Sequence, residues 1–150
     1  MTNIQKIVSH AEQQCRNRGS RLTEKRKQVL SGLIESGKAL SAYELIDYCR
    51  EQYGEAIPAM SVYRILDFLQ NEQLVHKLDI ANKYVACTHI TCDHAHDVPQ
   101  FLICSSCGQV EEVAIERSLL NKLRKNVEAV KYELLSTQIE LNCLCHSCAA

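Results

Sequence analysis

Two pairs of cysteines with the spacing Cys-x-x-Cys are the residues of this chain that point most clearly to chemistry. Cys104 and Cys107 form the first pair, which Gly108 follows directly, and Cys145 and Cys148 form the second pair. A Cys-x-x-Cys turn directs two thiolates toward one point about 2.3 Å from a zinc ion, and two such turns complete a tetrahedral site. The two pairs therefore predict one closed zinc site.

Cysteine usage in the whole chain favours metal binding over disulfides. The sequence has 9 cysteines, an odd number, and residues 1–20 lack the apolar stretch of a signal peptide. Two unrelated thiol pairs or a redox-active pair are the alternatives, although the surroundings of a thioredoxin-like motif are missing. Cys143 and His146 lie beside the second pair, and either could replace one of its ligands.

A second and looser group of potential ligands lies in the middle of the chain. Imidazole, thiolate and carboxylate groups together suit zinc, and a thiolate disfavours hard ions such as magnesium or calcium. A second metal site is therefore expected, although a single histidine on a hairpin is more often an ordinary surface or packed residue. The candidates are His76, Cys87, His89, Cys92, His94, His96, Glu111 and Glu112.

The elements that must position these groups can be predicted from hydrophobic spacing. Residues 4–15, 29–34, 42–49 and 62–69 repeat apolar side chains at helical spacing, and Ser41 with Glu44 forms a capping box. Two short strand-forming segments, residues 74–78 and 83–87, follow as a hairpin. Short helices followed by a hairpin favour a winged helix-turn-helix, with a small helical bundle carrying a terminal hairpin as the alternative.

The second half of the chain has a different pattern. Residues 101–104 and 109–113 indicate strands on either side of the first cysteine pair, residues 115–127 one helical face, and residues 132–141 a further strand. This pattern predicts a small α+β unit. The composition shifts near residues 84–87, which divides the chain into residues 1–84 and 85–150.

Length and composition exclude several classes of protein. With 150 residues, 46% of them hydrophobic, and a formal net charge of −1, the chain suits one compact domain or two small ones rather than a disordered segment. No apolar run approaches the roughly 18–20 residues of a membrane span, so a cytoplasmic protein is expected. The motifs of zinc deaminases, of zinc proteases and of phosphate-binding loops are missing, so we do not expect an enzyme.

Several motifs, in their order along the chain, resemble the ferric uptake regulator family and most closely its zinc uptake regulator branch. The resemblance runs from about Arg16 to Cys148. The motifs that carry it are Arg21-Leu22-Thr23, Ala42-Tyr43-Glu44-Leu45, Ser61-Val62-Tyr63-Arg64-Ile65-Leu66, Leu74-Val75-His76-Lys77, Tyr84-Val85-Ala86-Cys87, Cys104-x-x-Cys107-Gly108 and Leu144-Cys145-x-x-Cys148.

The resemblance implies an α+β chain with an N-terminal winged helix-turn-helix DNA-binding domain, residues 1–84, and a small α/β metal-binding dimerisation domain, residues 85–150. It implies a zinc-responsive repressor of zinc uptake genes that binds double-stranded operator DNA as a zinc-loaded homodimer. Two zinc ions per chain are expected. The structural zinc falls on Cys104, Cys107, Cys145 and Cys148, and the sensing zinc falls on His76, Cys87, His96 and Glu112.

Alternatives remain for parts of this assignment. His94 or His89 could take the place of His96, Glu111 stands beside Glu112, and Cys92 is an additional thiol. An iron-responsive or peroxide-responsive regulator of the same family is the nearest alternative function. Cys87 argues against it because a soft thiolate favours zinc over ferrous iron. A thiol-rich zinc-storage or redox protein is the alternative from another class.

The resemblance also predicts the residues that bind DNA. The reading helix would span residues 59–71, with Tyr63 and Arg64 in contact with DNA and with Arg21 and Lys27, from the basic stretch 16–27, neutralising phosphates. Arginine can bind guanine through two hydrogen bonds, which gives base discrimination. The alternatives are that Arg64 contacts only phosphate or pairs with Asp67, and that the basic stretch is a solvated face.

Overall fold

The computed structural model describes residues 2–88, 90–91 and 98–150. The chain divides into two compact units, residues 1–93 and 94–150. The N-terminal unit contains α1 (Asn3–Asn17), α2 (Glu24–Ser36), α3 (Ala42–Tyr53), α4 (Ala59–Asn71), β1 (Val75–Leu78) and β2 (Lys83–Ala86). The C-terminal unit contains β3 (Pro99–Cys104), β4 (Val110–Ala114), α5 (Arg117–Ala129), β5 (Ile139–Cys143) and α6 (His146–Ala149).

Side-chain caps determine where α2 and α3 begin. The hydroxyl of Thr23 accepts a hydrogen bond from the Arg26 N–H at 3.4 Å at the start of α2. At the start of α3, the Ser41 hydroxyl accepts from the Glu44 N–H at 3.1 Å, and the Glu44 carboxylate accepts from the Ser41 N–H at 3.0 Å. The capping box predicted from the sequence is therefore formed, and it satisfies two N–H groups that the helix leaves unpaired.

The helices of the N-terminal unit pack on one apolar core. Leu30 of α2, Leu45 of α3 and Leu66 of α4 are completely buried there. Removing each such side chain from water contributes about 1.5–3 kcal/mol, so these contacts hold the three helices together.

The hairpin of β1 and β2 completes the N-terminal unit. The two strands pair antiparallel, and Leu40, just before α3, forms an antiparallel bridge with Tyr84 of β2. This bridge fixes the hairpin against the helices. The arrangement is the winged helix-turn-helix that the sequence predicted.

The boundary between the units lies later than the composition indicated. The sequence placed it between residues 84 and 85, whereas the compact units divide between residues 93 and 94. The difference has a simple cause, because Cys87 and Ile90 pack into the core of the N-terminal unit.

The C-terminal unit is a small α/β structure built on a three-stranded sheet in the order β4-β3-β5. β3 runs antiparallel to β4 across the turn that carries the first cysteine pair, and it runs parallel to β5. The parallel pairing requires a long connection, which α5 provides. Phe101 and Ile103 of β3 and Leu120 of α5 are buried. Among the described residues, no helix is long and apolar enough to cross a membrane.

The last strand is shorter than the sequence predicted. A strand was expected over residues 132–141, but β5 begins only at Ile139. Tyr132 and Leu135 lie outside any strand and are 74% and 78% exposed. A strand needs a neighbouring backbone for its hydrogen bonds, and alternation of side chains in the sequence does not supply one.

Candidate metal centres and nucleic-acid interface

The parallel pairing of β3 with β5 brings the two Cys-x-x-Cys pairs together. Cys104 is the last residue of β3 and lies opposite Cys143, the last residue of β5. Strands that run in the same direction end at the same edge of a sheet, so the turns that follow them meet there. The Sγ atoms of Cys104, Cys107, Cys145 and Cys148, which we call the four-thiol group, all lie within 4.8 Å of one another.

The spacing within the four-thiol group suits a zinc ion. A tetrahedral site with Zn–S bonds of about 2.3 Å places neighbouring sulfur atoms about 3.8 Å apart. The Sγ atoms of Cys107 and Cys145 are separated by 3.8 Å. Thiolate sulfur is also a preferred zinc ligand, so geometry and chemistry agree.

Backbone hydrogen bonds shape the two turns of the four-thiol group. Gly108 adopts φ +78°, in the left-handed region that favours glycine, and its N–H donates to the Cys104 carbonyl at 2.9 Å. In the second turn, the Cys148 N–H donates to the Cys145 carbonyl at 3.0 Å. Each turn thereby holds its two thiols on the same side of the backbone.

The surroundings of the four-thiol group act differently on its members. Hydrogen bonds from the backbone of Cys107 first, and then of Cys145, lower the pKa of Cys104 to about 6. At Cys148, a hydrogen bond with Ser106 lowers the pKa, but hydrogen bonds with the neighbouring thiols raise it, with a net result of about 12. A divalent cation would remove this conflict because its charge favours the thiolate at every position.

The other candidate ligands near the second pair lie outside the four-thiol group. Cys143 and His146 instead line a pocket beside it, together with Cys104 and Cys145. The Cys143 thiol lies 3.7 Å from the Leu141 carbonyl, to which it donates. The structure thus brings together the four cysteines that the motif spacing predicted, and it does not bring Cys143 or His146 into their group.

The hairpin positions two members of the second ligand group. His76 lies in β1 opposite Val85, and the Cys87 N–H donates to the Leu74 carbonyl at 2.9 Å directly after β2. A ligand nitrogen of His76 and the Sγ of Cys87 lie within 4.8 Å of each other. Cys87 is buried, so the hairpin offers an imidazole and a sheltered thiol to the same point.

The remaining candidate ligands follow β2 in the sequence. Glu111 and Glu112 are successive residues of β4, opposite Leu102 and Phe101, so their side chains point to opposite faces of the sheet. Glu112 is half-buried and Glu111 is exposed. The candidates that lie outside the described residues are His89, Cys92, His94 and His96.

The predicted reading helix coincides with α4, Ala59–Asn71. Val62 and Leu66 are buried, while Tyr63 and Arg64 lie on the exposed side of the helix. In the described part of the chain, no ion pair joins Arg64 to Asp67, which was one of the alternatives for this arginine. Arg64 therefore presents a guanidinium to solvent from the exposed face of α4.

The exposed surfaces of α3 and α4 carry two large apolar side chains that the sequence did not single out as candidate functional residues. Tyr43 of α3 and Met60 of α4 are 66% and 67% exposed. Their exposure could be predicted from the sequence, because both residues fall outside the apolar stripes that face the core. Together with Tyr63, they make the exposed surface of these two helices partly apolar.

Most of the basic stretch is occupied by contacts within the chain. Arg16 pairs with Glu12, and Arg18 pairs with Glu72 at 3.3 Å. Arg21 and Lys25 are exposed, and neither has an ion pair within the ranges that the structure describes. These two cations can bind a DNA phosphate directly, whereas Arg16 and Arg18 must first break their ion pairs with carboxylates.

Lys27 also forms ion pairs within the chain. Its ammonium lies 3.1 Å from Glu12 of α1 and 3.2 Å from Glu24 of α2. The hydrogen bond to Glu12, followed by the one to Glu24, raises the pKa of Lys27, and the same bond lowers the pKa of Glu12. Lys27 thus joins α1 to α2 in addition to any role on DNA.

Arg26 contacts α4, the predicted reading helix. Its guanidinium carbon lies 3.8 Å from the centre of the Phe68 ring on α4. Its side chain also donates to the Arg21 carbonyl at 2.6 Å. A cation over an aromatic face is attractive, so Arg26 helps to fix α4 against the start of α2.

Comparison with known proteins identifies the family. The sequence pattern of the ferric uptake regulator family matches residues 17–142. The chain belongs to this family. The zinc uptake regulation protein of Escherichia coli (strain K12) is 35% identical over 147 residues, which cover 98% of this chain and 84% of that protein.

Solved structures of family members agree with this assignment. A zinc uptake regulator complexed with zinc and DNA has a TM-score of 0.84 at 31% identity, over 99% of this chain and 97% of that one. Holo XcZur has a TM-score of 0.80 at 36% identity, over 96% of this chain and 97% of that one. These similarities place the chain in the zinc uptake regulator branch and confirm the resemblance seen in the motifs. Members of the ferric uptake regulator family are transcriptional regulators.

Proposed function

We propose that this chain is a zinc-responsive transcriptional repressor that binds operator DNA as a zinc-loaded dimer and controls zinc uptake genes in the cytoplasm. The observation that carries the proposal is the position of Cys87 and His76. An imidazole and a buried thiol lie within 4.8 Å on the hairpin of a winged helix-turn-helix. A soft ligand pair on the DNA-binding unit can couple zinc to DNA binding directly.

The sensing zinc would take two further ligands from beyond the hairpin. The set His76, Cys87 and Glu112 combines imidazole, thiolate and carboxylate, each of which binds zinc in proteins. We assign the fourth position to His96, with His94 as the alternative. When bound, the ion would hold ligands of the N-terminal unit and of the C-terminal unit at bond length, which restricts the angle between the units.

The four-thiol group would hold a second, structural zinc. Its ligands come from the ends of β3 and β5, so the ion would tie the end of the chain to the central strand of the sheet. Sites of this kind contribute directly to folding, because the ligands meet only in the folded state. We therefore expect two zinc ions per chain with different roles.

On DNA, α4 would lie in the major groove. Tyr63 and Arg64 are exposed on this helix, and a two-bond contact from Arg64 to guanine would discriminate bases by about 1–3 kcal/mol. Arg21 and Lys27 would neutralise phosphates. Lys27 has to exchange its carboxylate partners for a phosphate, whereas Arg21 does not.

A dimer explains how a restricted angle controls binding. Two reading helices must lie about 34–36 Å apart to enter successive major grooves on one side of a duplex. Without the sensing zinc, the two units of each chain would sample many angles, and few of the resulting dimers would match this spacing. The repressor would then lose affinity although each reading helix is intact.

The function is tested by titrating operator DNA at buffered free zinc and, separately, at buffered ferrous iron. We expect wild type to bind tightly in zinc and weakly under chelation, and Cys87→Ser to lose the zinc dependence. Cys143→Ser serves as the matched control, because it removes a thiol outside both proposed sites. Equally tight binding by Cys87→Ser under chelation and in zinc excess would refute the proposal.

The same titration addresses the other candidate functions. Tight binding at lower free ferrous iron than free zinc would favour an iron-responsive regulator. Zinc binding without any effect on DNA affinity would favour a thiol-rich zinc-storage or redox protein.

A further inference from the structure

A pocket of about 300 Å³ lies beside the four-thiol group in the C-terminal unit. Cys104 and Cys145, one cysteine from each pair, form part of its wall. The wall also carries three other residues whose side chains bind zinc in proteins, namely Glu111, Cys143 and His146. We call these three residues the loading ligands.

The register of the sheet explains why these groups share one pocket. Glu111 lies opposite Leu102, and Leu102 is on the same face of β3 as Cys104, two residues later. Cys143 lies opposite Cys104 on the other neighbouring strand, so its side chain falls on that face as well. His146 directly follows Cys145 in the sequence and starts α6. One sheet face therefore gathers a carboxylate, a thiol and an imidazole next to two members of the four-thiol group.

The loading ligands are more exposed to solvent than Cys104, so an incoming ion meets them first. Cys104 is only 4% exposed, whereas Glu111 and His146 are exposed and Cys143 is half-buried. Since a water molecule occupies about 30 Å³, the pocket has room for an ion that still carries its hydration shell. The exposed Glu111 and His146, the half-buried Cys143 and Cys145, and the buried Cys104 form a path along which water can be replaced in stages.

We propose that the loading ligands receive zinc from solution and transfer it to the four-thiol group, a role that depends on the structural site proposed above. At each stage one protein–zinc bond forms while one bond from zinc to water or to a loading ligand breaks. Each thiol that joins the ion gives its proton to solvent. At equilibrium the ion rests on the four thiols, and the loading ligands are released.

The experiment measures zinc release from the loaded full-length protein into excess 4-(2-pyridylazo)resorcinol. Where the release rate does not depend on the chelator concentration, zinc leaves unaided and follows the loading path in reverse, so no zinc-free and partly unfolded protein has to be prepared. The measurements use a Cys87→Ser background, which leaves the structural zinc as the ion observed. The test variant carries Cys143→Ser and His146→Ala, and the control carries Ser147→Ala, which changes the same pocket at a residue that is not a loading ligand.

We expect the test variant to release zinc about tenfold more slowly than the background protein, at the same zinc content before release, because it lacks two of the three groups that accept the ion from the thiols; the size is at the lower end of the 10–100-fold effects that residues next to metal ligands have on metal affinity or activity. The control should release zinc at the background rate. Glu111→Gln should slow release by itself, because it removes the charge of the first ligand that the ion meets.

Three results would overturn the proposal. An unchanged rate in the test variant would mean that zinc reaches the thiols past the exposed Cys107 instead. A lower zinc content in the test variant would mean that Cys143 or His146 is a permanent ligand of the bound ion. Equally slow release from the control would mean that the shape of the pocket, and not its ligand groups, sets the rate. If the background protein held no zinc on the four thiols, the structural site itself would fail, which the zinc content shows before any rate is measured.

Discussion

Cysteine side chains in this chain illustrate how the surroundings of a residue decide its chemistry. Burial raises the pKa of Cys49 in the helical core to about 11, so this thiol acts as a small apolar group. Backbone hydrogen bonds lower the pKa of Cys104 to about 6, so this thiol is ready to bind a metal as the thiolate. The same residue type thus fills a core at one position and offers a ligand at another.

The four-thiol group leads to the first prediction. Cys107→Ser removes one of four close thiols, so we expect the variant to lose the structural zinc and a large part of the stability of the C-terminal unit. Structural zinc contributes about 10–16 kcal/mol of binding free energy in zinc-finger peptides, and this energy is folding free energy, so loss of the ion destabilises the unit strongly. Metal analysis and thermal unfolding measure both effects. Cys143→Ser should keep its zinc at equilibrium, and equal zinc loss in both variants would contradict the assignment.

The two cations predicted to face DNA lead to a second prediction. Arg21 is exposed without an ion pair in the described ranges, whereas Lys27 is held by Glu12 and Glu24. We expect Arg21→Ala to reduce the slope of log affinity against log salt by about 1, and Lys27→Ala to reduce it by less. Lys27→Ala should also lower the free energy of unfolding by up to about 1 kcal/mol, as an exposed ion pair does. Equal slopes for both variants would show that the ion pairs of Lys27 with Glu12 and Glu24 do not reduce its contribution to DNA binding.

At the scale of elements, the features predicted correctly are those that neighbouring residues determine. The capping box at Ser41 and the bounds of α4 depend on contacts within one or two turns of helix, so the sequence contains them. The strand expected over residues 132–141 depended on a partner strand, and no local pattern supplies one. Likewise, the spacing of the cysteines predicted a zinc site, but the meeting of the two pairs rests on the parallel register of β3 and β5.

The capping box of α3 gives a prediction about pH. The hydrogen bond from the Ser41 backbone, above all, lowers the pKa of Glu44 from its ordinary value of 4.5, and Lys83 adds to the effect. A lowered pKa contributes stability above 4.5 that is lost as the pH falls through the lower folded-state value. Glu44→Gln keeps a capping side chain but loses the charge, so wild type should be more stable by about 0.5 kcal/mol near neutral pH.

Denaturant unfolding across the acid range provides the check on Glu44. The stability curves of wild type and Glu44→Gln should converge below the folded-state pKa, where both side chains are neutral. A constant difference at every pH would mean that shape, rather than charge, separates the two proteins. Ser41→Ala should cost about 1 kcal/mol at any pH, because it removes the cap itself.

The contact between α2 and α3 gives a further prediction. A Cβ atom at Gly32 would lie 3.2 Å from the Sγ of Cys49 and 3.3 Å from Cδ1 of Leu45, both in a buried core. Overpacking of this kind costs about 1–3 kcal/mol, more than the roughly 1 kcal/mol that alanine gains over glycine in a helix. Gly32→Ala should therefore destabilise the wild type, and in a Cys49→Ala background the same change should cost less, because only the tight contact with Leu45 remains. Stabilisation in both backgrounds would show that the helices separate easily.

At the scale of the whole molecule, the sequence predicted two units, and the chain divides into two compact units. The exact division could not be predicted, because Cys87 and Ile90 pack into the N-terminal core by long-range contacts that composition does not reveal. The ligand set proposed for the sensing site comes from the family resemblance. Its members are distant in sequence, and their types alone leave several histidines and two adjacent glutamates as equal choices.

We predict that a second copy of the chain binds through the exposed apolar side chains of α5 in the C-terminal unit. Of the large apolar residues on α5, Leu120 is buried, while Leu119 and Leu123 are 53% and 37% exposed. Leu119 and Leu123 are four residues apart, so they form one apolar strip on the helix. Burial of this strip against its copy would remove its apolar surface from water, which is expected at the centre of a dimer interface.

A paired substitution tests this interface. Leu119→Asp with Leu123→Asp places two charges in the proposed contact, and an unpaired buried charge costs several kcal/mol, so the dimer should dissociate. Sedimentation equilibrium should give one chain per particle for this variant and two for wild type. Ile80→Asp is the matched control, since Ile80 is 51% exposed but lies in the turn of the N-terminal hairpin. The monomeric variant should keep both zinc ions and yet bind operator DNA far more weakly, because one reading helix would face the duplex without its partner. If it stayed dimeric, the contact between copies would have to lie elsewhere on the chain.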